Sequence, residues 1–118
     1  MQRRLRLPGG KCFSSVHRDG QTWTNQLLVL KALPSGLEQS RLAFAAGRRL
    51  GSAVVRNRVK RRLREGARLI HVKAGWDALF IARKEAVTAD FRRLKQASDD
   101  LLTRARLLEG PLPEGNRK

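Results

Sequence analysis

Between Ser52 and Val72 the residues Val55, Val59, Leu63, Ala67 and Ile70 recur at spacings of four and three, a pattern that one face of an α-helix collects. That helix is constrained twice over. Its apolar stripe needs a core to lie on, and the rest of its surface is cationic. Arg56, Arg58, Lys60, Arg61, Arg62 and Arg64 crowd into little more than two turns, and no Asp or Glu stands between Glu38 and Glu65. A solvated helix face normally interleaves both signs, because like charges one turn apart repel by a few tenths of a kcal/mol. Arg56 and Arg58 also lie near the positive end of the helix macrodipole, a second local penalty. A segment that breaks both rules is expected where an external anion neutralises it, and a phosphate backbone is the simplest such partner.

The whole chain carries the same bias. Its 118 residues hold 26 Lys and Arg against 10 Asp and Glu, a net charge of +16, which points to nucleic acid. A membrane partner is not expected, since no apolar run approaches the roughly 20 residues that span a bilayer. The N-terminus MQRRLRLPGGK lacks the apolar centre of a signal peptide, so the cytoplasm is the expected location. Cys12 is the only cysteine and forms no internal disulfide. Cys12, His17 and His71 are too few and too scattered for a closed zinc site.

Patterning divides the chain into a basic flexible arm (1–10), one α/β domain (11–108) and a frayed tail (109–118). Lys11 to Arg18 reads as a short helix. Trp23 to Ala32 reads as a strand, Pro34-Ser35-Gly36 as a turn, and Arg41 to Ala46 as a second strand paired with the first. Gly47 and Gly51 bracket Arg48-Arg49-Leu50, where backbone freedom suits a bend or a bound phosphate. The long helix follows from an N-cap at Ser52. Trp76 to Ala82 is another strand. Thr88 is the expected N-cap of a last helix with an apolar face of Phe91, Leu94, Ala97 (or Ser98), Leu101, Ala105 and Leu108. The order helix, two strands, helix, strand, helix implies a two-layer α/β domain with helices against one sheet.

Chemistry for autonomous catalysis is missing. Asp99 and Asp100 are adjacent and point about 100° apart on a helix, while Asp77 and Asp90 stand alone. No nucleophile elbow, zinc-protease motif or P-loop is present. Binding chemistry is present. Arginine forks hold paired phosphate oxygens, and Asn57, set between Arg56 and Arg58, can offer a donor and an acceptor at once. Phe13, Val16, His17 and Trp23 form a second group. They either pack the first helix onto the sheet or line a groove where unpaired nucleotides stack.

Taken together, GRRLGSAVVRNRVKRRLRE and the strand ending IARKEA resemble the protein subunit of bacterial ribonuclease P, with Leu7, Phe13, Val16 and Gly20 in matching order upstream. The resemblance covers about residues 5 to 107. It implies an α/β sandwich of a four-stranded sheet and three helices, with a left-handed crossover around the long helix. It also implies a noncatalytic partner of a catalytic RNA (the ribonuclease P RNA) that removes the 5′ leader of precursor tRNA, with magnesium acting through that RNA. Under it Arg56, Asn57, Arg58, Lys60, Arg61 and Arg64, with Arg48 and Arg49, meet the catalytic RNA. Phe13, Val16, His17 and Lys31 line the cleft for the leader. His17 and Lys31 stand where the family often has aromatics, which implies weaker stacking and more phosphate contact here. Arg62 stands where an aliphatic residue is common and must turn its head outward beside the apolar stripe. A structural protein of the ribosome, using the same basic helix, is the alternative reading.

Overall fold

Asp19 and Gly20 stop the first helix because a side chain at position 20 has nowhere to go. A Cβ there would stand 2.6 Å from the Val16 carbonyl oxygen and 3.1 Å from the Ala32 backbone. The computed structural model describes residues 5–6, 11–70 and 72–107, with side chains from residue 15 onward. Its elements are β1 (Leu5–Arg6), α1 (Lys11–Asp19), β2 (Gln21–Thr24), β3 (Leu28–Pro34), β4 (Arg41–Ala45), α2 (Ala53–Ala67), β5 (Trp76–Ala82) and α3 (Phe91–Arg104). Two of the residues assigned to the arm, Leu5 and Arg6, thus form a short strand that pairs in parallel with Arg41 and Leu42. The rest of the arm and the tail 109–118 lie outside the described residues.

The expected sheet of four strands and three helices is present, with β1 as a two-residue addition, in the order β1-β4-β5-β3-β2. Two details differ from the expectation. The run Trp23 to Ala32 is broken into β2 and β3 by a turn at Asn25, whose Oδ1 accepts from the Leu27 and Leu28 amides at 3.1 and 2.9 Å. An Asx turn supplies locally the bonds that a continuous strand would have needed. Second, β4 does not pair with β3. β5 inserts between them, parallel to β4 and antiparallel to β3. The central place falls to the strand buried on both faces: Asp77, Ala78, Leu79 and Phe80 are all buried, whereas only Leu42 is buried in β4.

Alternation then assigns the two faces. Leu28, Leu30, Ala32, Leu42, Ala78, Phe80 and Ala82 face α2 and α3, which contribute Val59, Leu63, Leu94, Leu101 and Leu102 to one core. Phe44 and Phe80 stack within it at 5.6 Å. On the opposite face Val16 of α1 packs on Leu79 among Leu33, Ala43, Ala45 and Ile81. The helices are therefore divided between the two faces, α1 alone on one and α2 with α3 on the other.

Helix α2 is shorter than its apolar pattern. It ends at Ala67, where the Leu69 and Ile70 amides bond back three residues to the Gly66 and Ala67 carbonyls. Gly66 lowers helix propensity there and lets α3 approach, with Lys95 Cβ 3.4 Å from where its own Cβ would be. The tightened turn still buries Ile70 and Val72 but leaves Leu69 exposed. In α3 the N-cap is Asp90, which accepts from the Arg93 amide at 2.9 Å, and Thr88 instead closes a preceding 3₁₀ turn (Lys84–Thr88). Phe91, assigned to the apolar face, is 38% exposed.

Candidate nucleic-acid interface

The chain leaves β4 through Ala46 and Gly47 into a 3₁₀ turn, Arg48–Leu50, closed by bonds from the Leu50 and Gly51 amides to the Gly47 and Arg48 carbonyls. Leu50 tucks against the core, so Arg48 and Arg49 are turned outward and exposed. Gly51 then takes φ 137°, open to glycine alone at low cost, and Ser52 caps α2 with its Oγ 3.4 Å from the Val55 amide. These steps aim the first turn of α2 beside the arginine pair.

Along α2 the buried stripe of Val59, Leu63, Gly66 and Ala67 fixes where every cation points. Asn57, Arg61 and Arg64 are exposed, while Arg56, Arg58 and Lys60 are half-buried beside the stripe. Arg56 Nε donates to the Gly51 carbonyl at 3.2 Å, which ties the helix to the glycine bend. Arg62 resolves its awkward position by donating from Nη1 to the Ala89 carbonyl at 2.9 Å, so it braces α2 against the start of α3. Arg58 has its Nε buried with no acceptor among the described residues.

No carboxylate of the described residues lies within ion-pair distance of Arg48, Arg49, Arg56, Arg58, Lys60, Arg61 or Arg64. The described pairs join other groups: Arg18 with Asp19, Arg41 with Asp77, Arg68 with Glu65, Lys95 with Asp99 and Arg104 with Asp100. The eight residues assigned from sequence to the basic surface, Asn57 included, are thus gathered on one helix and the turn that feeds it. Arg83 and Lys84 were not assigned, yet the turn they begin packs against both Arg48–Leu50 and α2. Arg83 is held by its backbone amide on the Leu27 carbonyl and by Nη1 on the Asn25 carbonyl, 2.8 and 2.9 Å away. The signal was the Arg-Lys pair directly after a strand that ends beside β4.

The second group is only partly assembled. Val16 is completely buried between α1 and the sheet, so it seats α1 and offers no free surface to a strand of RNA. Its β-branched chain fits the small residues Ala43 and Ala45 opposite, which is why packing claims it. Trp23 packs into the core on the other face of the sheet and is not part of a cleft with α1. His17 is exposed on α1. Lys31 lies on the face of the sheet that carries α1, its Nζ 3.2 Å from Thr22 Oγ1. Phe13 belongs to α1, and its side chain lies outside the described residues. The basic helix and the α1 region therefore stand on opposite faces of the sheet.

The model of the ribonuclease P family matches residues 1–106 of this sequence. The chain belongs to the ribonuclease P protein family. A ribonuclease P protein component from Roseiflexus castenholzii is 41% identical over 117 residues, covering 97% of this chain and 96% of its own. That of Dehalococcoides mccartyi is 41% identical over 108 residues, covering 92% and 90%. The ribonuclease P protein of Thermotoga maritima superposes with a TM-score of 0.75 at 30% identity, across 92% of this chain and all of that one. Family membership identifies the chain as the protein component of ribonuclease P, part of an endoribonuclease whose partner is RNA. The ribosomal alternative finds no support among these relatives. No described helix is long and apolar enough to cross a membrane.

Proposed function

We propose that this ribonuclease P protein is the noncatalytic subunit of a cytoplasmic ribonucleoprotein in which the RNA performs hydrolysis. The basic surface of α2 and the Arg48–Leu50 turn neutralises phosphates of the ribonuclease P RNA. The α1 side of the sheet holds the 5′ leader of precursor tRNA, with Phe13, His17 and Lys31 as its contacts and Val16 as the residue that seats the helix. The observation that carries the reading is the cationic surface without counter-ions among the described residues. A protein that kept such a surface for its own stability would pair it with carboxylates.

Magnesium belongs to the RNA in this reading. The exposed groups of the basic surface are guanidinium, ammonium and amide, which do not fit a hard divalent cation, and the described residues hold no cluster of three His, Cys, Asp or Glu. The protein's own contribution is to let RNA strands approach and to grip the leader, so that precursor binds better than mature tRNA.

Cleavage of precursor tRNA in magnesium tests this in three arms: protein alone, RNA alone, and both. The expected result is no cleavage by the protein alone and faster cleavage at low substrate with both. Cleavage by protein alone would overturn the noncatalytic assignment. Phe13→Ala is expected to weaken precursors with long leaders and leave mature tRNA unchanged; equal loss for both would remove the leader cleft.

A further inference from the structure

The start of α3 carries a second basic cluster, outside the motif of α2. Behind its Asp90 cap the first turn holds Arg92 and Arg93, both exposed. Beside them Phe91 is 38% exposed. A lone surface phenylalanine would need no explanation. This one is bracketed by two contacts to the basic helix. Arg62 reaches the Ala89 carbonyl two residues before it, and Gly66 meets Lys95 one turn after it. Both helices run the same way through these contacts, so Phe91 lies over the turn of α2 that carries Arg58, Arg61 and Arg62. Arg58 adds an independent sign. Its Nε is shielded from solvent and has no acceptor among the described residues, whereas Arg56 donates from Nε to the Gly51 carbonyl and Arg62 from Nη1 to the Ala89 carbonyl. With Nε held inside the protein, the outer Nη groups of the same guanidinium are the ones within reach of an outside acceptor.

We propose that Phe91 is a stacking platform for an unpaired nucleotide of the folded RNA, with Arg58 and Arg92 taking the phosphates on either side. The proposal rests on the RNA-binding reading above and deepens it: the partner at this junction is a bulged or looped base, where a plain duplex has no base free to stack. An aromatic face beside guanidinium groups is the combination that holds a splayed base, since the ring takes its π-face and the cations take its backbone. A second copy of the chain is disfavoured there, because the flanking charges of both copies would repel.

The full-length protein is titrated with a short blunt-ended RNA duplex and with the same duplex carrying one bulged adenosine. Wild type is expected to prefer the bulged form by about fivefold or more. Phe91→Leu, which keeps apolar bulk and removes the ring, is expected to abolish that preference and leave affinity for the blunt duplex unchanged. Phe91→Trp is expected to keep or strengthen it, and this variant decides the matter if the leucine variant does not fold. No bulge preference in wild type, or an undiminished preference in Phe91→Leu, overturns the proposal. So does loss of preference in Phe91→Trp, or a Phe91-dependent dimer in sedimentation. Arg61→Ala with Arg64→Ala separates the two claims: unaltered binding of both duplexes would sink the basic-helix reading itself, whatever the ring does.

Discussion

Arg41 and Asp77 face each other across the parallel strands β4 and β5, and their side chains form a two-pronged ion pair with Nε–Oδ1 and Nη2–Oδ2 distances of 2.8 and 2.7 Å. Both are largely withdrawn from water, at 16% and 7% side-chain exposure. The pair pins the register between the parallel strands β4 and β5, which the chain joins through the Arg48–Leu50 turn and α2. Asp77→Ala is expected to take the carboxylate from a largely buried guanidinium and lower unfolding free energy by about 3–5 kcal/mol. Replacing both partners by apolar residues is expected to recover most of that. Denaturant titration checks both.

Removing Arg61 and Arg64 together is expected to reduce the steepness of log K against log salt for the ribonuclease P RNA by about 1.4–1.8, two phosphate contacts' worth. Thermal unfolding should barely change, because both side chains are exposed and form no ion pair among the described residues. An unchanged slope would show that these arginines do not touch phosphate.

Gly20→Ala is expected to cost about 1–3 kcal/mol, since its new carbon collides with the Val16 carbonyl and the Ala32 backbone. Lifting α1 changes the spacing between that helix and β3, the strand that carries Lys31. The measurable consequence is a smaller affinity gap between precursor and mature tRNA, with binding to the ribonuclease P RNA retained.

Arg106 follows α3 with φ 61°, the left-handed position of a Schellman ending. Its own amide bonds the Thr103 carbonyl and the next amide bonds that of Leu102. Glycine is the residue that takes this conformation without a Cβ clash. Arg106→Gly is expected to stabilise the domain by on the order of 0.5–1 kcal/mol, read as a higher unfolding midpoint, after allowing for glycine's extra chain entropy.

Period and charge made α2 legible. Val59, Leu63 and Ala67 are buried where the spacing put them, and the cations follow from that because a helix allows no other arrangement. The helix ends and the cleft were less legible. Asp90 and Thr88 are both good caps, and only the 3₁₀ turn that Thr88 closes decides between them. Val16 reads equally well as a groove residue or a packing residue until Ala43, Ala45 and Leu79 are seen beneath it.

By itself, then, the order of residues determined the amphipathic helix, its one-signed surface and the glycine bend that leads into it. These are local consequences of periodicity, charge spacing and backbone freedom. Tertiary structure decided the rest. It put β5 between β3 and β4 and α1 on the face opposite α2. It also set Phe91 beside the basic helix and Arg62 on the carbonyl of Ala89. Each of these depends on contacts between residues far apart in the chain, which hydrophobic pattern permits in several ways and close packing allows in one.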